Sequence, residues 1–167
     1  MANLHRITPC LWFDDQGEQA AKFYIAIFPN SRITTVSRYS EAGFEIHHRP
    51  AGSVMVVAFE LDGQSFTALN GGPVFKFNEA ISLQVNCANQ EEIDYYWDRL
   101  SAGGDPKAQQ CGWLKDRFGV SWQVVPNFMD ELFADAQSAG AQRAMNVMLG
   151  MKKIDIAAMR RAYDGTA

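Results

Sequence analysis

The sequence predicts an α+β fold with two βαβββ modules in mixed sheets and a helical C-terminal extension. A strand pattern, a helical pattern and further strand patterns follow one another twice, once in about 5–73 and once in about 79–127. From about 128 to 165 the apolar spacing is helical. This order places helices on one face of a sheet and frees the other face to line a cavity or meet another sheet. We therefore expect one domain spanning residues 1–167.

The first module begins with alternating residues over 7–13, which put Leu11 and Phe13 on one face and Trp12 on the other. Residues 17–28 then have helical apolar spacing, and Pro29-Asn30 ends that helix. Three strand patterns complete the module, with a tight turn before the last; they cover residues 31–40, 52–61 and 65–70.

The second module repeats this order. A strand over 80–87 precedes a helix with Asn89 as its N-cap and Gly103 at its C-terminal stop. A short strand near 107–110 and a hairpin over 113–126 follow.

The hairpin is marked by its turn, Asp116-Arg117-Phe118-Gly119, between two strand patterns. Alternation directs Trp122 towards the helix layer and Gln123 to the opposite face.

The C-terminal extension carries an apolar stripe and a helix-cap signal. Asp155 is the expected N-cap of the last helix. The stripe fits either core packing or a dimer contact; it consists of Met145, Met148, Leu149 and Met151.

Composition excludes several functional classes. The chain has 167 residues, 47% of them hydrophobic, and a net charge of −4. It has no Lys/Arg cluster typical of a nucleic-acid surface and no apolar run long enough for a membrane span or a secretory leader. Three widely spaced cysteines fit neither a disulfide framework nor a paired CxxC metal site, so we expect a cytoplasmic protein.

Several stretches together resemble the PhnB-like, or demethylubiquinone methyltransferase-like, branch of the vicinal oxygen chelate superfamily. They are "ITPCLWFDDQGEQAAKFYIAIFPNSRI", "PAGSVMVVAFELDGQSFTALNGGPVFKFNEAISLQVNC", "EEIDYYWDRLS", "CGWLKDRFGVSWQVVP" and "MKKIDIAAM". The resemblance implies paired βαβββ modules, a curved mixed sheet around a cavity, and a homodimer. Glyoxalases, extradiol dioxygenases and fosfomycin-resistance proteins share this superfamily.

The resemblance also implies where a metal would bind, because relatives that use one place His and Glu ligands on the first and last strand of each module. The nearest positions here are Thr8, Asn70, Ala80 or Ser82, and Gln123. Neutral amides and hydroxyls are weak ligands for divalent transition metals. We therefore expect no bound metal and no cofactor.

Candidate ligand-binding residues follow from alternation and from the resemblance. Trp12, Phe66, Ser82, Gln84 and Gln123 are expected to share an inner face. The complete predicted set also includes Asn70, Cys111 and Trp113. Together these residues would line an apolar, aromatic pocket with a few amides and hydroxyls.

Other chemistry has weaker support in the sequence. His47 and His48 are adjacent on a segment expected to be extended, where they would point in opposite directions and could not share one ion. His5 lies close to the terminus. The first strand leads into Asp14-Asp15-Gln16-Gly17, without the Gly-rich turn of doubly wound S-adenosylmethionine enzymes.

These observations favour a metal-free protein that binds a small molecule. The alternative is an enzyme (a lyase, dioxygenase or transferase) acting on an unidentified small metabolite. Fold alone does not decide between them.

Overall fold

A computed structural model describes residues 6–166. His5 lies outside this range. The chain divides between Phe77 and Asn78 into two compact units. Each unit has a small mixed sheet and at least one packed helix, which confirms the α+β class. In the described range no helix is long and apolar enough to cross a membrane.

The first unit contains a four-stranded sheet in the order β1-β4-β3-β2. β1 pairs in parallel with β4, and the other neighbours are antiparallel. Its elements are β1 (Cys10–Phe13), α1 (Gly17–Ile25), β2 (Arg32–Arg38), α2 (Phe44–His47), β3 (Val54–Leu61) and β4 (Gln64–Asn70).

The helix α1 lies against one face of this sheet. Leu11 pairs with Ala68 and Phe13 with Asn70, and all four side chains are buried. A Cβ at Gly17 would lie 3.2 Å from the Cβ of Ala68, so the start of α1 rests on this face. Even-numbered residues of β4 therefore face the helix.

Asn70 links α1 to the sheet. Its Oδ1 accepts a hydrogen bond from the Gly17 amide at 2.8 Å, and its Nδ2 donates to the Val54 carbonyl at 3.1 Å. A Cβ at Gly17 would approach Oδ1 to 2.7 Å, so this contact requires glycine. Asn70 thus satisfies one of the free amides at the helix start.

The second unit contains a three-stranded sheet in the order β5-β7-β6, with β5 parallel and β6 antiparallel to β7. Helix α3 has the predicted N-cap, since Asn89 Oδ1 accepts from the Glu92 amide at 2.9 Å. The elements are β5 (Leu83–Cys87), α3 (Gln90–Ser101), β6 (Trp113–Lys115), β7 (Ser121–Pro126), α4 (Met129–Leu132), α5 (Ala139–Leu149) and α6 (Ile156–Asp164).

The strand predicted near 107–110 is replaced by a short 3₁₀ helix, Pro106–Ala108. Asp105 Oδ1 accepts from the Lys107 amide at 2.9 Å, and the fixed φ of Pro106 suits the first position of a helical turn. Only Gln110 makes a strand-like bridge, to Trp113.

The buried carboxylate of Asp116 organises the predicted hairpin. Its Oδ1 accepts from the amides of Phe118 (2.8 Å) and Val120 (3.0 Å). Its Oδ2 accepts from the indole Nε1 of Trp122 at 2.8 Å. Gly119 closes the turn with a φ of +88° and donates to the Asp116 carbonyl at 3.0 Å.

The C-terminal extension is helical over shorter stretches than its pattern predicts. Residues 133–138 lie between α4 and α5 outside any helix, and α5 ends before Gly150. Its buried stripe is Ala141, Ala144 and Met148, so core packing, one of the two interpretations of the Met-rich stripe, is wrong for Met145 and Leu149. Met145 and Leu149 are exposed, since 3.6 residues per turn carry them off the Ala141–Met148 line.

The last helix is fixed at both ends. Asp155 Oδ1 accepts from the Ala158 amide at 2.8 Å, which confirms the predicted N-cap. Arg143 of α5 donates from Nε to the Ala162 carbonyl at 2.7 Å and from Nη2 to Tyr163.

Replacing Asp116 by alanine tests its role in the hairpin. We expect Asp116→Ala to lower the free energy of unfolding by roughly 2–4 kcal/mol, because buried donors would lose their acceptor. Asp15→Ala, at an exposed position, should change it by less than about 0.5 kcal/mol. Urea unfolding of both variants measures the difference, and equal midpoints would contradict the assigned role.

Candidate functional site

The face of the second sheet opposite α3 carries a row of polar side chains. Trp122 and Val124 of β7 are buried on the helix side, whereas Gln123 between them is half-buried on the other. Gln123 is in register with Gln84 of β5 and with Trp113 of β6. Residues in register share a face, so the structure brings these three together as predicted.

Ser82 joins this face through Gln123. The Gln123 Nε2 donates to Ser82 Oγ at 2.8 Å. The Gln84 Nε2 donates to Asn86 Oδ1 at 2.7 Å. Both glutamines use the amide nitrogen in these bonds, which leaves the amide oxygens as acceptors for a ligand.

Two further residues belong to this face and were not among those predicted from the sequence. Lys115 and Ser121 are in register with one another, two residues along from Trp113 and Gln123. Alternation applied to both strands of the hairpin would have indicated them. We call Ser82, Gln84, Lys115, Ser121 and Gln123 the polar row.

The polar row contains one charged pair and one unsatisfied hydroxyl. The Lys115 ammonium contacts the Glu79 carboxylate, and this hydrogen bond lowers the pKa of Glu79. Ser121 is only 2% exposed, and its Oγ has no hydrogen-bond partner within the described residues. Buried polar groups are nearly always hydrogen-bonded, so this hydroxyl calls for an explanation.

In the first unit Trp12 lies on the face opposite α1. Its Nε1 donates to the Gly72 carbonyl at 2.8 Å, and its ring centroid lies 4.9 Å from that of Phe75 in an edge-to-face arrangement. A Cβ at Gly71 would lie 2.2 Å from the indole, so only glycine fits beneath the ring. Trp12 is thus held rigidly and remains half-buried.

The expectation that Trp12 and Phe66 share one face is wrong. Trp12 pairs with Leu69, so by alternation it faces away from Phe66 and Asn70. Phe66 is 8% exposed and stacks on Phe59 at 5.5 Å within the core. Asn70 uses its amide to fix α1, and both residues therefore have structural contacts.

Cys111 contacts the C-terminal extension. Its backbone has a φ of +51°, its amide donates to the Met151 carbonyl at 2.8 Å, and its thiol donates to the Leu149 carbonyl at 3.7 Å. The buried thiol of Cys87 has its pKa raised to about 12, chiefly by burial and further by Glu92. Cys87 therefore stays protonated and unreactive near neutral pH.

The positions that the resemblance assigned to metal ligands do not form a metal site. Thr8 and Ala80 are exposed, and Asn70 lies on the helix-covered face. Ser82 and Gln123 are bonded to each other. Within residues 6–166 no three His, Cys, Asp or Glu side chains are grouped closely enough to hold an ion.

The adjacent histidines are not on an extended segment, contrary to the sequence expectation. Phe44–His47 forms one helical turn, and His48 follows with a φ of +52°. The His47 ring is occupied at both nitrogens, since Nδ1 accepts from the Arg49 amide at 3.0 Å and Nε2 lies 3.1 Å from the Ala42 carbonyl. His47 therefore stabilises a surface turn.

A cleft of about 660 Å³ lies elsewhere in the second unit, between α3 and the start of α6. Two of its charged groups are paired with each other, because Lys153 contacts Asp94 at 2.9 Å; Lys153 also contacts Asp98 at 3.5 Å. Gln90 bridges the cleft wall, donating to the Ile154 carbonyl and accepting from the Ile156 amide. These contacts attach the extension to α3.

The comparison with protein families gives a match over most of the chain. A family described as 3-demethylubiquinone-9 3-methyltransferase matches residues 5–125. The C-terminal extension lies outside this match. No curated protein matches the chain.

Solved structures extend the comparison. The PhnB protein from Bacillus cereus is 35% identical over 72% of this chain and 99% of its own, with a TM-score of 0.61. The fosfomycin resistance protein FosX from Listeria monocytogenes, solved with Mn(II) and sulfate, is 17% identical over 80% of this chain and 97% of its own, with a TM-score of 0.51. FosX from Mesorhizobium loti is 13% identical over 80% of this chain and 98% of its own, with a TM-score of 0.54.

Two neighbouring substitutions in β7 test which face carries the site. Gln123→Leu should change the free energy of unfolding by less than about 1 kcal/mol, because Gln123 is half-buried and its partner Ser82 can bond water. Trp122→Ala should lower it by about 3–5 kcal/mol, because it empties a buried site. Thermal unfolding compares them, and a larger effect at Gln123 would show that the two faces are reversed.

Proposed function

Because the chain belongs to the 3-demethylubiquinone-9 3-methyltransferase family, the PhnB-like branch of the vicinal oxygen chelate superfamily, we propose that it binds a small molecule at the polar row without a metal ion. The observation that carries the proposal is the hydrogen bond between Gln123 and Ser82 on the face opposite α3. This bond supports the proposal because it joins two neutral polar side chains at positions that the resemblance assigns to metal ligands.

The chemistry of these groups supports binding without metal. An amide and a hydroxyl are uncharged and hold divalent transition metals weakly. They suit recognition of a ligand by hydrogen bonds, particularly beside the indole of Trp113. In the first unit, Trp12 stays a separate candidate for ligand contact, because its half-buried ring is rigidly held.

Two comparisons bear on alternative activities. The FosX structure holds Mn(II), but at 17% identity it indicates a shared fold only. The family description names a methyltransferase. In this chain the Gly17 amide at the start of α1 bonds to Asn70 Oδ1, so that amide is already occupied and cannot bind a cofactor carboxylate.

Metal content tests the proposal directly. We expect purified, dialysed protein to contain no stoichiometric Zn, Mn, Ni or Fe, because the polar row lacks a set of charged ligands. Elemental analysis by mass spectrometry measures this. About one ion per chain in the wild type, lost in Gln123→Leu, would refute metal-free binding.

A screen of small molecules tests binding itself. Ligands should raise the melting temperature of the wild type and lose this effect in Gln123→Leu, since ligand binding stabilises only the folded state. Gln64→Leu, at an exposed site in the first unit, is the matched control. If no ligand depends on Gln123, the proposed site is wrong.

We also propose that the protein is a cytoplasmic homodimer. Its three cysteines are free thiols, as expected in a reducing compartment. Met145, Val147 and Leu149 expose apolar surface on α5, and β2 is an edge strand; self-association would cover such surfaces.

Light scattering at micromolar concentration should give twice the mass of one chain. Leu149→Glu, which places a charge on the exposed apolar side of α5, should shift the protein towards monomer. Lys152→Glu, at a nearby exposed position, should not. A wild-type monomer would contradict the dimer.

A further inference from the structure

We infer that the ligand of the polar row is a flat hydroxy acid, and that Glu79 and Ser82 occupy the places of its carboxylate and hydroxyl in the free protein. The inference rests on the proposed function, because it names the ligand class for the same sheet face. It follows from the chemical groups that contact Lys115 and Gln123 in the free protein, and from the spacing of the residues in the polar row.

One short segment provides both partners. Glu79 contacts Lys115, and Ser82 accepts a hydrogen bond from Gln123 at 2.8 Å. The segment between them, Ala80 and Ile81, is exposed and lies outside any helix or strand. Residues 79–82 therefore present one carboxylate and one hydroxyl to the sheet, the two functional groups of a hydroxy acid.

The contact with Glu79 is one that a ligand can replace. The Glu79 side chain is 63% exposed, whereas the Lys115 side chain is 24% exposed. Ion pairs with such an exposed partner add little stability. A ligand carboxylate can therefore take the place of Glu79 at a lysine that the sheet already holds.

Ser121 shows why a ligand carboxylate fits better than Glu79. It lies opposite Lys115 in the β6–β7 pair, where facing Cβ atoms are about 4.5–5.5 Å apart. Its buried hydroxyl has no partner among residues 6–166. A carboxylate bound at Lys115 would accept hydrogen bonds from both groups and satisfy that hydroxyl.

The spacing of the polar row sets the length of the ligand. Ser121 and Gln123 are two residues apart on one strand, which is about 6.6 Å on the same face. Trp113 is paired with Gln123 and precedes Lys115 by two residues, so its indole flanks the path between the two polar ends. A ring with its carboxylate and hydroxyl at opposite ends matches this arrangement.

Calorimetry of the full chain with four probes tests the ligand class. We expect 4-hydroxybenzoate to bind best, and benzoate, which lacks the hydroxyl, about threefold to tenfold more weakly. In 2-hydroxybenzoate the hydroxyl is too close to the carboxylate, so it should resemble benzoate. The uncharged 4-hydroxybenzamide should bind more than tenfold more weakly than the acid.

Variants then test whether the ligand displaces Glu79 from Lys115. Glu79→Gln should raise the affinity for 4-hydroxybenzoate about twofold to fivefold, because the internal competitor loses its charge. Glu60→Gln removes an ion pair with Arg32 in the first unit, outside the polar row, and should leave affinity unchanged. Ser121→Ala should weaken binding of the acid without lowering the melting temperature.

Two further variants test the hydroxyl end and the carboxylate end of the ligand separately. In Gln123→Leu the affinities for 4-hydroxybenzoate and benzoate should become equal, because the hydroxyl has lost its partner. Lys115→Met should weaken both more than tenfold while circular dichroism stays unchanged.

The outcomes separate this inference from the proposed function. Equal binding of acid and amide, unchanged affinity in Glu79→Gln, or no binding of 4-hydroxybenzoate would each overturn the inference. If the screen nevertheless yields an uncharged ligand that depends on Gln123, the proposed function stands and only the ligand class is wrong. If no ligand of any charge depends on Gln123, both are wrong.

Discussion

The buried carboxylate of Asp116 is the contact on which the second unit most depends. It accepts from two backbone amides of its own turn and from the Trp122 indole, so one side chain sets both the turn and the register of the hairpin. Because strand side chains alternate, directing Trp122 inward directs Gln123 outward. The composition of the open face is thus a consequence of a contact on the buried one.

The two units use their polar residues differently although their elements follow a related order. In the first unit Asn70 bonds the start of α1 and the Val54 carbonyl, so its amide serves the fold. In the second unit Gln123 and Gln84 bond through their amide nitrogens on the face opposite α3, and among residues 6–166 their amide oxygens remain available as acceptors. Trp12 provides the first unit's aromatic group, held by Gly71 and Gly72.

The C-terminal extension lies outside the family match, which ends at residue 125. It is attached to the rest of the second unit by hydrogen bonds from the amides of Cys111 and Gly112 to the carbonyls of residues 151 and 152. The side chain of Gln90 adds hydrogen bonds to the backbone of Ile154 and Ile156. These bonds occupy Cys111, which the sequence had suggested for a ligand site. The exposed apolar residues of α5 give the extension an apolar surface.

The sequence by itself determined the order of elements, the Asp-x-x-Gly turn, the caps Asn89 and Asp155, and the inward side of Trp122. These depend on local periodicity and on side chains that bond their own neighbours, which a linear pattern contains. Tertiary structure alone decided that Phe66 and Asn70 face α1, because the parallel pairing of β1 with β4 joins residues far apart in the chain. It also decided the contacts of Ser121, Lys115 and Glu79, since cross-strand partners and an ion pair 36 residues apart have no signature in local sequence.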